Sequence, residues 1–486
     1  MTAADSCPLL QPIGLVEKLH EKFELIRTAN ASECTREMLA QVFRTFKDPD
    51  GNFIEQFQTN GFDARYFELY LYAYFSRSGF GVDRSYEFPD FLVTREGFDV
   101  AVEATTVNPS RGGVLKELGR EIGDLEFEEY ADYARNELAI RFGGPLFAKL
   151  NKRYWEHPHC KGKPLVLTIE AFHDPHALHM TDAPLMSYLY GSATTGAFDE
   201  AGKLNVRREA IETHELGTKI IPSFFFGQPD TEHISAVMFA NSGTNAKFSR
   251  MGYQHGYGSD EVEMMRVGYC YTPDPNARDS TYFSYNMRDA PVVESWGQGL
   301  SVMHNPNCLH PIPHGFFVNA VEATVVEDDI ICWNSGWHPF SSKTMSFHLA
   351  GANANWKEYF PPRLPRVHVH PIPREVFWER YDPDLEPEEP YVQEDGWFSD
   401  ETGAFLGTVL RNRNDNAWRY VVLARDENFC FRTILLKSDL GLREQAVKML
   451  QSCIAQLLSS RQRLFARDEP LPNDPMEREP ETKERS

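Results

Sequence analysis

The strand-like segment FDVAVEATT at Phe98–Thr106 constrains the fold more than any other part of the sequence, because a glutamate, Glu103, stands in its apolar centre. Side chains alternate along a strand, so Asp99, Glu103 and Thr105 point to one face while the valines point to the other. A buried carboxylate without a partner is too costly to persist, since loss of hydration forces it to neutralise, to pair or to bind a cation. The fold must therefore provide Glu103 with a partner.

A second acid is expected beside Glu103. Asp90 lies in the sequence PDF, directly before another strand-like run at Phe91–Thr94. The spacing between Asp90 and Glu103 suits a turn that joins two adjacent antiparallel strands, and such a hairpin would bring the two carboxylates side by side. Converging carboxylates in apolar surroundings repel one another unless they share a proton or a divalent cation. Hard oxygen ligands of this kind are the ones that Mg²⁺ prefers.

The sequence around this hairpin predicts a mixed α/β unit. The segment 62–78, FDARYFELYLYAYFSRS, predicts one strongly apolar helix whose middle carries a single charged residue, Glu68. Acidic helical sequence follows the hairpin, then a second helix near Pro145–Trp155 and a strand at Pro164–Phe172. The order is helix, strand or turn, strand, strand, helix, strand, which is typical of neither a repeat protein nor an all-β sandwich.

Three features in this order resemble the PD-(D/E)xK nuclease superfamily: Glu68 on the first helix, then Pro89–Asp90, then EAT at Glu103–Thr105 on the next strand. The resemblance covers about a quarter of the chain, roughly residues 61–172. It implies a restriction-endonuclease-like core of mixed sheet flanked by helices. It also implies a metal-dependent endonuclease, a hydrolase that cleaves phosphodiester bonds, with DNA favoured over RNA as the nucleic-acid partner.

The same resemblance assigns roles to individual residues. Asp90 and Glu103 would hold Mg²⁺ (or Mn²⁺), the Ala104 carbonyl would assist, and Glu68 would be the outer acidic ligand. The sequence departs from the family at Thr105, where the family has its lysine, because a hydroxyl cannot supply a positive charge.

Some family members recruit the basic group from the following helix. Here FAKLNKRYW offers Lys149 as first choice and Lys152 as second, on one helical face. Either could orient the attacking water or stabilise the developing charge on phosphorus.

The remaining sequence predicts several further regions around this core. We expect a helical N-terminal cap, a nuclease core, a β-rich extension, a Pro- and acid-rich linker, a small α+β domain and a disordered acidic tail, at 1–60, 61–175, 176–360, 361–395, 396–466 and 467–486. The small C-terminal domain carries no convincing catalytic group. We therefore predict that it docks a partner protein or forms a homo-oligomer.

Composition limits the environment and the partners. The net charge of −22 opposes binding to nucleic acid, but the acidic segments 117–132, 379–401 and 468–486 carry most of it, so the rest of the chain is close to neutral. Eight scattered cysteines without a CxxC pair indicate reduced thiols. No signal peptide or membrane-spanning stretch is evident, so a cytoplasmic protein without a membrane partner is expected.

Several other motifs are weaker. In SGTNAKFSRMG, Lys247 and Arg250 are candidate contacts to a substrate phosphate. Histidines gather at His157–Cys160 and His173–His179, but their spacing matches no standard zinc pattern. The run HNPNCLHPIPH at His304–His314 is rich in proline and asparagine, which favours a rigid hydrogen-bonded loop that covers the core.

Two other functions remain open for the acidic pair. One is a hydrolase that acts on glycans, in which two carboxylates work without a metal at a separation of roughly 5–10 Å. The other is a catalytically silent scaffold that keeps the nuclease fold for protein contacts. A concave basic rim built from Lys149, Lys152, Lys247 or Arg250 would favour the nuclease, and an aromatic groove would favour the glycan hydrolase.

Overall fold

The structure is a computed structural model, and it describes most of the chain up to residue 349 and the strands of the C-terminal part. The described residues are 4, 6–48, 51–109, 124–199, 203–270, 280–290, 293–326, 329–333, 338–349, 369–371, 391–400, 405–412, 418–425, 431–440, 443, 446–447, 450–451 and 453–454.

Four helices precede the first strand, strands and helices are then interspersed up to α8, and the described elements after α8 are mainly strands. The α-helices are Glu21–Thr28 (α1), Glu33–Phe43 (α2), Phe53–Gln58 (α3), Phe62–Arg77 (α4), Phe127–Arg135 (α5), Glu137–Leu150 (α6), Ala183–Tyr190 (α7) and Asn245–Gln254 (α8). The strands are Gly81–Asp83 (β1), Phe91–Arg95 (β2), Phe98–Val107 (β3), Leu165–Ala171 (β4), Ser192–Phe198 (β5), Leu204–Ala210 (β6), Thr213–Leu216 (β7), Lys219–Pro222 (β8), Ala236–Ala240 (β9), Val262–Cys270 (β10), Thr281–Asn286 (β11), Leu300–His304 (β12), Val321–Val326 (β13), Asp329–Trp333 (β14), Pro339–His348 (β15), Val369–Pro371 (β16), Tyr391–Asp400 (β17), Phe405–Asn412 (β18), Trp418–Arg425 (β19) and Phe431–Leu440 (β20).

An eight-stranded mixed sheet forms the centre of the larger unit, in the order β1-β2-β3-β4-β9-β12-β13-β14. Strands β2 and β3 pair as an antiparallel hairpin, and β3, β4 and β9 run parallel. The outer part alternates, because β12 is antiparallel to β9 and parallel to β13, while β14 is antiparallel to β13. The predicted mixed α/β architecture with helices against a mixed sheet is confirmed.

Helices cover both faces of this sheet. Helix α4 is buried almost all round, as expected for a helix that is apolar on every side, and it packs with Val100 and Val102 in one hydrophobic core. Helix α6 belongs to a second core that contains Ala101 and Leu167. Neighbouring residues of β3 thus point into different cores, so Glu103 shares the face of Ala101 and looks toward α6.

The sheet extends beyond the predicted core at 61–175, because β9, β12, β13 and β14 come from the segment predicted as a β-rich extension. Helices α1, α2 and α3 precede the sheet in the chain, and their apolar side chains, including Phe23 and Leu39, share the core of α4. The other sheets of the larger unit are the three-stranded β11-β10-β15 and the hairpins β5-β6 and β7-β8.

The chain divides into two compact units, 1–361 with 439–445, and 362–438 with 446–486. The second unit contains the sheet β16-β17-β18-β19-β20. Within it, the described helical residues Ala446, Leu450 and Ile454 are buried, and a Cβ at Gly407 would lie 2.5 Å from Leu450. The predicted linker is described only at 369–371 and 391–395, and the predicted tail lies outside the described residues. Within the described ranges, no helix has the length and apolarity needed to cross a membrane.

Candidate functional site

The β2–β3 hairpin holds Asp90 and Glu103 against each other. The ladder pairs Phe91 with Val102, which places Asp90 just before β2 and opposite Glu103. The Asp90 amide donates to Glu103 Oε2 at 3.1 Å, and the Ala104 amide donates to Asp90 Oδ2 at 2.7 Å. Each acid is therefore oriented by the backbone of the other strand, as the sequence predicted for a hairpin.

A lysine and a tyrosine reach Glu103 from the α6 side of the sheet. Lys149, in the last turn of α6, donates to Glu103 Oε1 at 2.5 Å, and Tyr154 donates its hydroxyl to the same oxygen at 2.6 Å. Glu103 itself is 5% exposed. Of the two lysines considered, Lys149 therefore lies beside the acids, and Tyr154 is a contact that sequence reasoning missed.

Burial and the nearby charge of Glu103 shift the pKa values of Asp90 and Tyr154. Burial, together with the nearby charge of Glu103, raises the pKa of Asp90 to about 7. The Ala104 amide and the charges of Lys149 and Arg84 act against this rise. Burial raises the pKa of Tyr154 far above its usual range, and the Glu103 charge adds to the effect, so the phenol stays neutral. Asp90 is therefore poised to lose or keep its proton near neutral pH.

The oxygen atoms around Asp90 fit a hard divalent cation. Within the described residues, no hydrogen-bond donor reaches Asp90 Oδ1. The amide and carbonyl of one strand residue lie on the same side, so the Ala104 carbonyl faces the side of β3 where Asp90 accepts the Ala104 amide. Two carboxylates and this carbonyl are the residues that would hold Mg²⁺ or Mn²⁺, and the positive charge would relieve the repulsion that raises the pKa of Asp90.

Glu68 does not complete this ligand set. Its Oε2 accepts from Arg65 at 2.5 Å, and its Oε1 pairs with Arg84. Burial raises the pKa of Glu68, the Asp90 charge adds to the rise, and the two arginines oppose it. The expected outer ligand is thus near the acids but bound to arginine. The sequence did not reveal Arg84, which directly follows β1 and has its guanidinium 3.9 Å from the Phe46 ring centre.

Thr105 and Lys152, the other two residues expected to take part in catalysis, have no described side-chain contact with Asp90 or Glu103. Thr105 is half-buried on the same face as Glu103 and pairs with Ile169 in the register of β3 and β4. Lys152 is exposed just beyond α6, and its described contact is a backbone hydrogen bond to Lys149. The structure therefore brings Asp90, Glu103 and Lys149 together and leaves Lys152 apart from them.

The expectation that Lys247 and Arg250 contact a phosphate needs correction. Lys247 has no exposed surface, and its ammonium donates to Glu294 Oε1 at 2.7 Å and to two backbone carbonyls. Arg250 is 3% exposed and forms a bidentate pair with Glu294. Burial lowers the pKa of Lys247 to about 7 despite this pairing. The two cations stabilise an interior carboxylate that lies more than forty residues away in sequence.

Aromatic and imidazole rings adjoin the hairpin. Tyr86 stacks on His159 with ring centres 3.9 Å apart, and His159 donates to the Phe88 carbonyl at 2.8 Å. His157 contacts the Phe88 ring at 4.7 Å. Tyr86 is 41% exposed, so these rings form part of the surface beside Asp90.

Two groups of metal-ligand atoms are present among the described residues, and neither includes the histidines at 157–160 or 173–179. They are His304, His314 and Glu322, and Asp230, Glu232 and His233, each with its donor atoms within 4.8 Å of one another. The first group involves two histidines of the segment that sequence reasoning interpreted as a covering loop.

Comparison with known proteins gives no relative: no protein-family model, curated protein or solved structure matches this chain. The chemistry of the site therefore rests on its own geometry.

Proposed function

We propose that this chain is a metal-dependent nuclease that hydrolyses phosphodiester bonds in DNA, with Mg²⁺ or Mn²⁺ held by Asp90 and Glu103. The observation that carries the proposal is the convergence of three groups from separate elements. Asp90 and Glu103 orient each other across the hairpin, and Lys149 brings an ammonium group to Glu103 from α6. Two carboxylates that can hold a metal, with an adjacent cation, are one arrangement that supports phosphodiester hydrolysis.

Each residue has a separate task in this proposal. Asp90 and Glu103 present oxygen ligands, and the Ala104 carbonyl lies on the same side of β3. When bound, the metal supplies charge compensation and acidifies a water molecule. Lys149 takes the role of the lysine that the PD-(D/E)xK family has at the position of Thr105. It orients the attacking water or compensates the charge that develops on the phosphoryl oxygens. Tyr154 fixes the Glu103 carboxylate through its neutral hydroxyl.

The arrangement of elements supports a restriction-endonuclease-like core. The order α4, β1, β2, β3, α5 and α6, β4 follows the order that the resemblance implies, and β3 pairs with the hairpin partner on one side and with parallel β4 on the other. Helices α4 and α6 belong to the two cores on opposite faces of β3.

The surface beside the acids offers contacts for nucleic acid. Lys152 is exposed past the end of α6, and the rings of Tyr86 and His159 lie next to the turn that carries Asp90. Aromatic rings stack on bases irrespective of sequence, and lysines contact phosphates. Since the net charge is −22, binding to DNA must depend on such local contacts and weaken steeply with salt.

The test is cleavage of plasmid and single-stranded DNA by the purified full chain in Mg²⁺, in Mn²⁺ or in EDTA. A Glu103→Gln protein purified in parallel controls for contaminating nucleases. We expect cleavage by the wild type with either metal, and none in EDTA or with the variant. Absence of cleavage under every condition, or equal cleavage by the variant, would contradict the proposal and favour a silent scaffold.

A further inference from the structure

Two histidines and a glutamate converge away from the proposed nuclease acids. His304 is the last residue of β12, Glu322 lies in β13, and His314 lies in the segment between these strands. His304 Nε2 is 3.2 Å and His314 Nδ1 is 3.0 Å from the same oxygen, Glu322 Oε2. The three donor atoms lie within 4.8 Å of one another. Two imidazoles and one carboxylate thus point at a common position.

The backbone holds these side chains in place. Strands β12 and β13 are parallel neighbours, with Val302 opposite Glu322, so His304 lies two residues beyond the pair. The Gly315 amide donates to Glu322 Oε1 at 2.8 Å and leaves Oε2 to the histidines. Arg95 in turn donates to the Gly315 and Phe316 carbonyls.

The segment between the two histidines is also fixed at several points. The Asn305 side chain donates to the Thr231 and Ile234 carbonyls, each at 2.8 Å. The Ser235 hydroxyl donates to the His310 carbonyl at 2.6 Å. A ligand set that is anchored before the ion arrives loses little conformational entropy on binding.

Burial differs within the group in a way that suits an ion. Glu322 and His304 are 5% and 8% exposed, whereas the His314 side chain is 63% exposed. A surface imidazole gains little stability from pairing with a carboxylate, so the pairing alone gives little reason to hold His314 there. A ligand set with one open side, in contrast, needs such an accessible member to admit the ion and to leave a position for water or substrate.

We propose that His304, His314 and Glu322 form a binding site for a divalent transition-metal ion, for which Zn²⁺ is the probe. Imidazole nitrogen suits zinc, iron, nickel and copper, whereas Mg²⁺ prefers oxygen ligands and retains water. Two histidines with one carboxylate supply three protein ligands and leave the remaining position open. The site therefore differs in metal preference from the all-oxygen group at Asp90 and Glu103.

The other described cluster is a natural comparison. Asp230, Glu232 and His233 lie in a half-exposed turn, and Asp230 is paired with Arg153 at 3.2 Å. His233 also stacks on Trp155 with ring centres 4.4 Å apart. With one histidine and a carboxylate already paired, this turn is expected to bind Zn²⁺ more weakly, so His233→Ala is a suitable control.

The test is calorimetric titration of EDTA-treated, dialysed full-length protein with Zn²⁺. We expect one tight site in the wild type, and at least a tenfold loss of affinity in His314→Ala and in Glu322→Gln. His310→Ala, in the same segment, and His233→Ala should bind as the wild type does. Equal affinity in His314→Ala and His310→Ala, or no Zn²⁺ binding by the wild type, would overturn the proposal.

A second readout guards against failed folding. Because His314 is largely exposed, His314→Ala should melt at the wild-type temperature without metal. Zn²⁺ should then raise the melting temperature of the wild type but not that of His314→Ala. His314→Gln should behave like His314→Ala. If Zn²⁺ raised the melting temperature of the two His314 variants as much as that of the wild type, the result would count against the site. The titration repeated in Glu103→Gln should be unchanged, which separates this site from the proposed nuclease acids.

Discussion

Strands β3 and β13 carry the same tetrapeptide, VEAT, at 102–105 and 321–324, and each buries its glutamate in the main sheet. Glu103 points toward the α6 side, where its partners are Lys149, Tyr154 and the Asp90 amide. Glu322 follows the opposite alternation, because its neighbour Ala323 belongs to the α6-side core, and its partners are two histidines and the Gly315 amide.

The comparison shows that a strand sequence fixes the need for a partner but not the kind of partner. Both glutamates avoid an isolated buried charge, yet the elements packed against each strand decide the chemistry. At Glu103 these elements supply a second carboxylate and an ammonium group, which suits a hard cation and a phosphate. At Glu322 they supply imidazoles, which suit a transition metal.

The largest expected effect comes from removing the charge of Asp90, a proposed metal ligand beside Glu103. Asp90→Asn should lower the rate of Mg²⁺-dependent DNA cleavage by about a thousandfold or more, since a preorganised charge at the reacting group is lost. Asp99→Asn is the matched control, because Asp99 lies on the same hairpin but its side chain is 42% exposed and paired with Lys163. Steady-state cleavage rates of the two variants measure the difference, and equal rates would contradict the assignment of Asp90.

Loss of the ammonium group should have the next largest effect. Lys149→Ala should reduce turnover by about a hundredfold while Mg²⁺ affinity changes little, because a cation aimed at the developing charge is removed but no ligand is. At saturating DNA, Lys152→Ala should cleave at close to the wild-type rate, since Lys152 is exposed and makes no described contact with the acids, while loss of its phosphate contact should weaken DNA binding. Single-turnover cleavage and Mg²⁺ titration check both. If Lys149→Ala cleaved DNA at the wild-type rate and Lys152→Ala did not cleave it, the catalytic cation would be Lys152 instead of Lys149.

The proton on Asp90 gives a pH-dependent prediction. Its pKa in the folded protein is about 7, above the value of about 3.8 for an unperturbed aspartate. The folded state therefore binds more protons between these values, so the stability due to this proton is present at low pH and is lost as the pH rises through about 7. In EDTA, the melting temperature of the wild type should fall relative to Asp90→Asn between pH 5 and pH 7 and then level off.

Differential scanning fluorimetry of the two proteins across this range measures the effect. A constant difference between pH 5 and pH 8 would show that Asp90 has an ordinary pKa. Mg²⁺ affinity should rise over the same interval and level off above pH 7, because the cation binds the ionised carboxylate.

The smallest effects concern the hydroxyl groups near Glu103. Tyr154→Phe should destabilise the fold by about 1.5–3 kcal/mol, the usual contribution of a hydrogen bond to a charged group, and lower cleavage modestly. Thr105→Ala should change the rate only a few-fold, since a hydroxyl there can at most fix a water molecule. Chemical denaturation and cleavage assays measure these changes. A loss in Thr105→Ala as severe as in Glu103→Gln would place the hydroxyl in the chemistry.

Local sequence predicted the hairpin and the helices well, because apolar alternation in β3 and the all-apolar face of α4 are signals contained within single segments. The place of Lys149 beside Glu103 could be predicted, because the family that the sequence resembles has a lysine where Thr105 stands, and some of its members supply this lysine from the following helix. The extent of the sheet could not, because β9, β12, β13 and β14 join it only through pairing between distant segments.

The incorrect expectations for individual residues share one cause, which is that the partner of each side chain is distant in the sequence. Lys247 and Arg250 were expected to contact a phosphate, but they lie in the interior because they pair with Glu294, which is distant in the chain and could not be recognised from the local sequence. Glu68 was expected to face the metal because Arg84 could not be recognised as its partner. His304 and His314 gave no metal pattern, since the third donor, Glu322, lies on another strand.

The most direct test of the account is a parallel measurement on two matched variants, Glu103→Gln and Glu322→Gln. Mg²⁺-dependent DNA cleavage and Zn²⁺ affinity are measured on the same preparations. We expect Glu103→Gln to lose cleavage and keep Zn²⁺ binding, and Glu322→Gln to keep cleavage and lose Zn²⁺ binding. Cleavage that survives Glu103→Gln, or a single variant that loses both properties while folded, would contradict the claim that the two strands serve different chemistry.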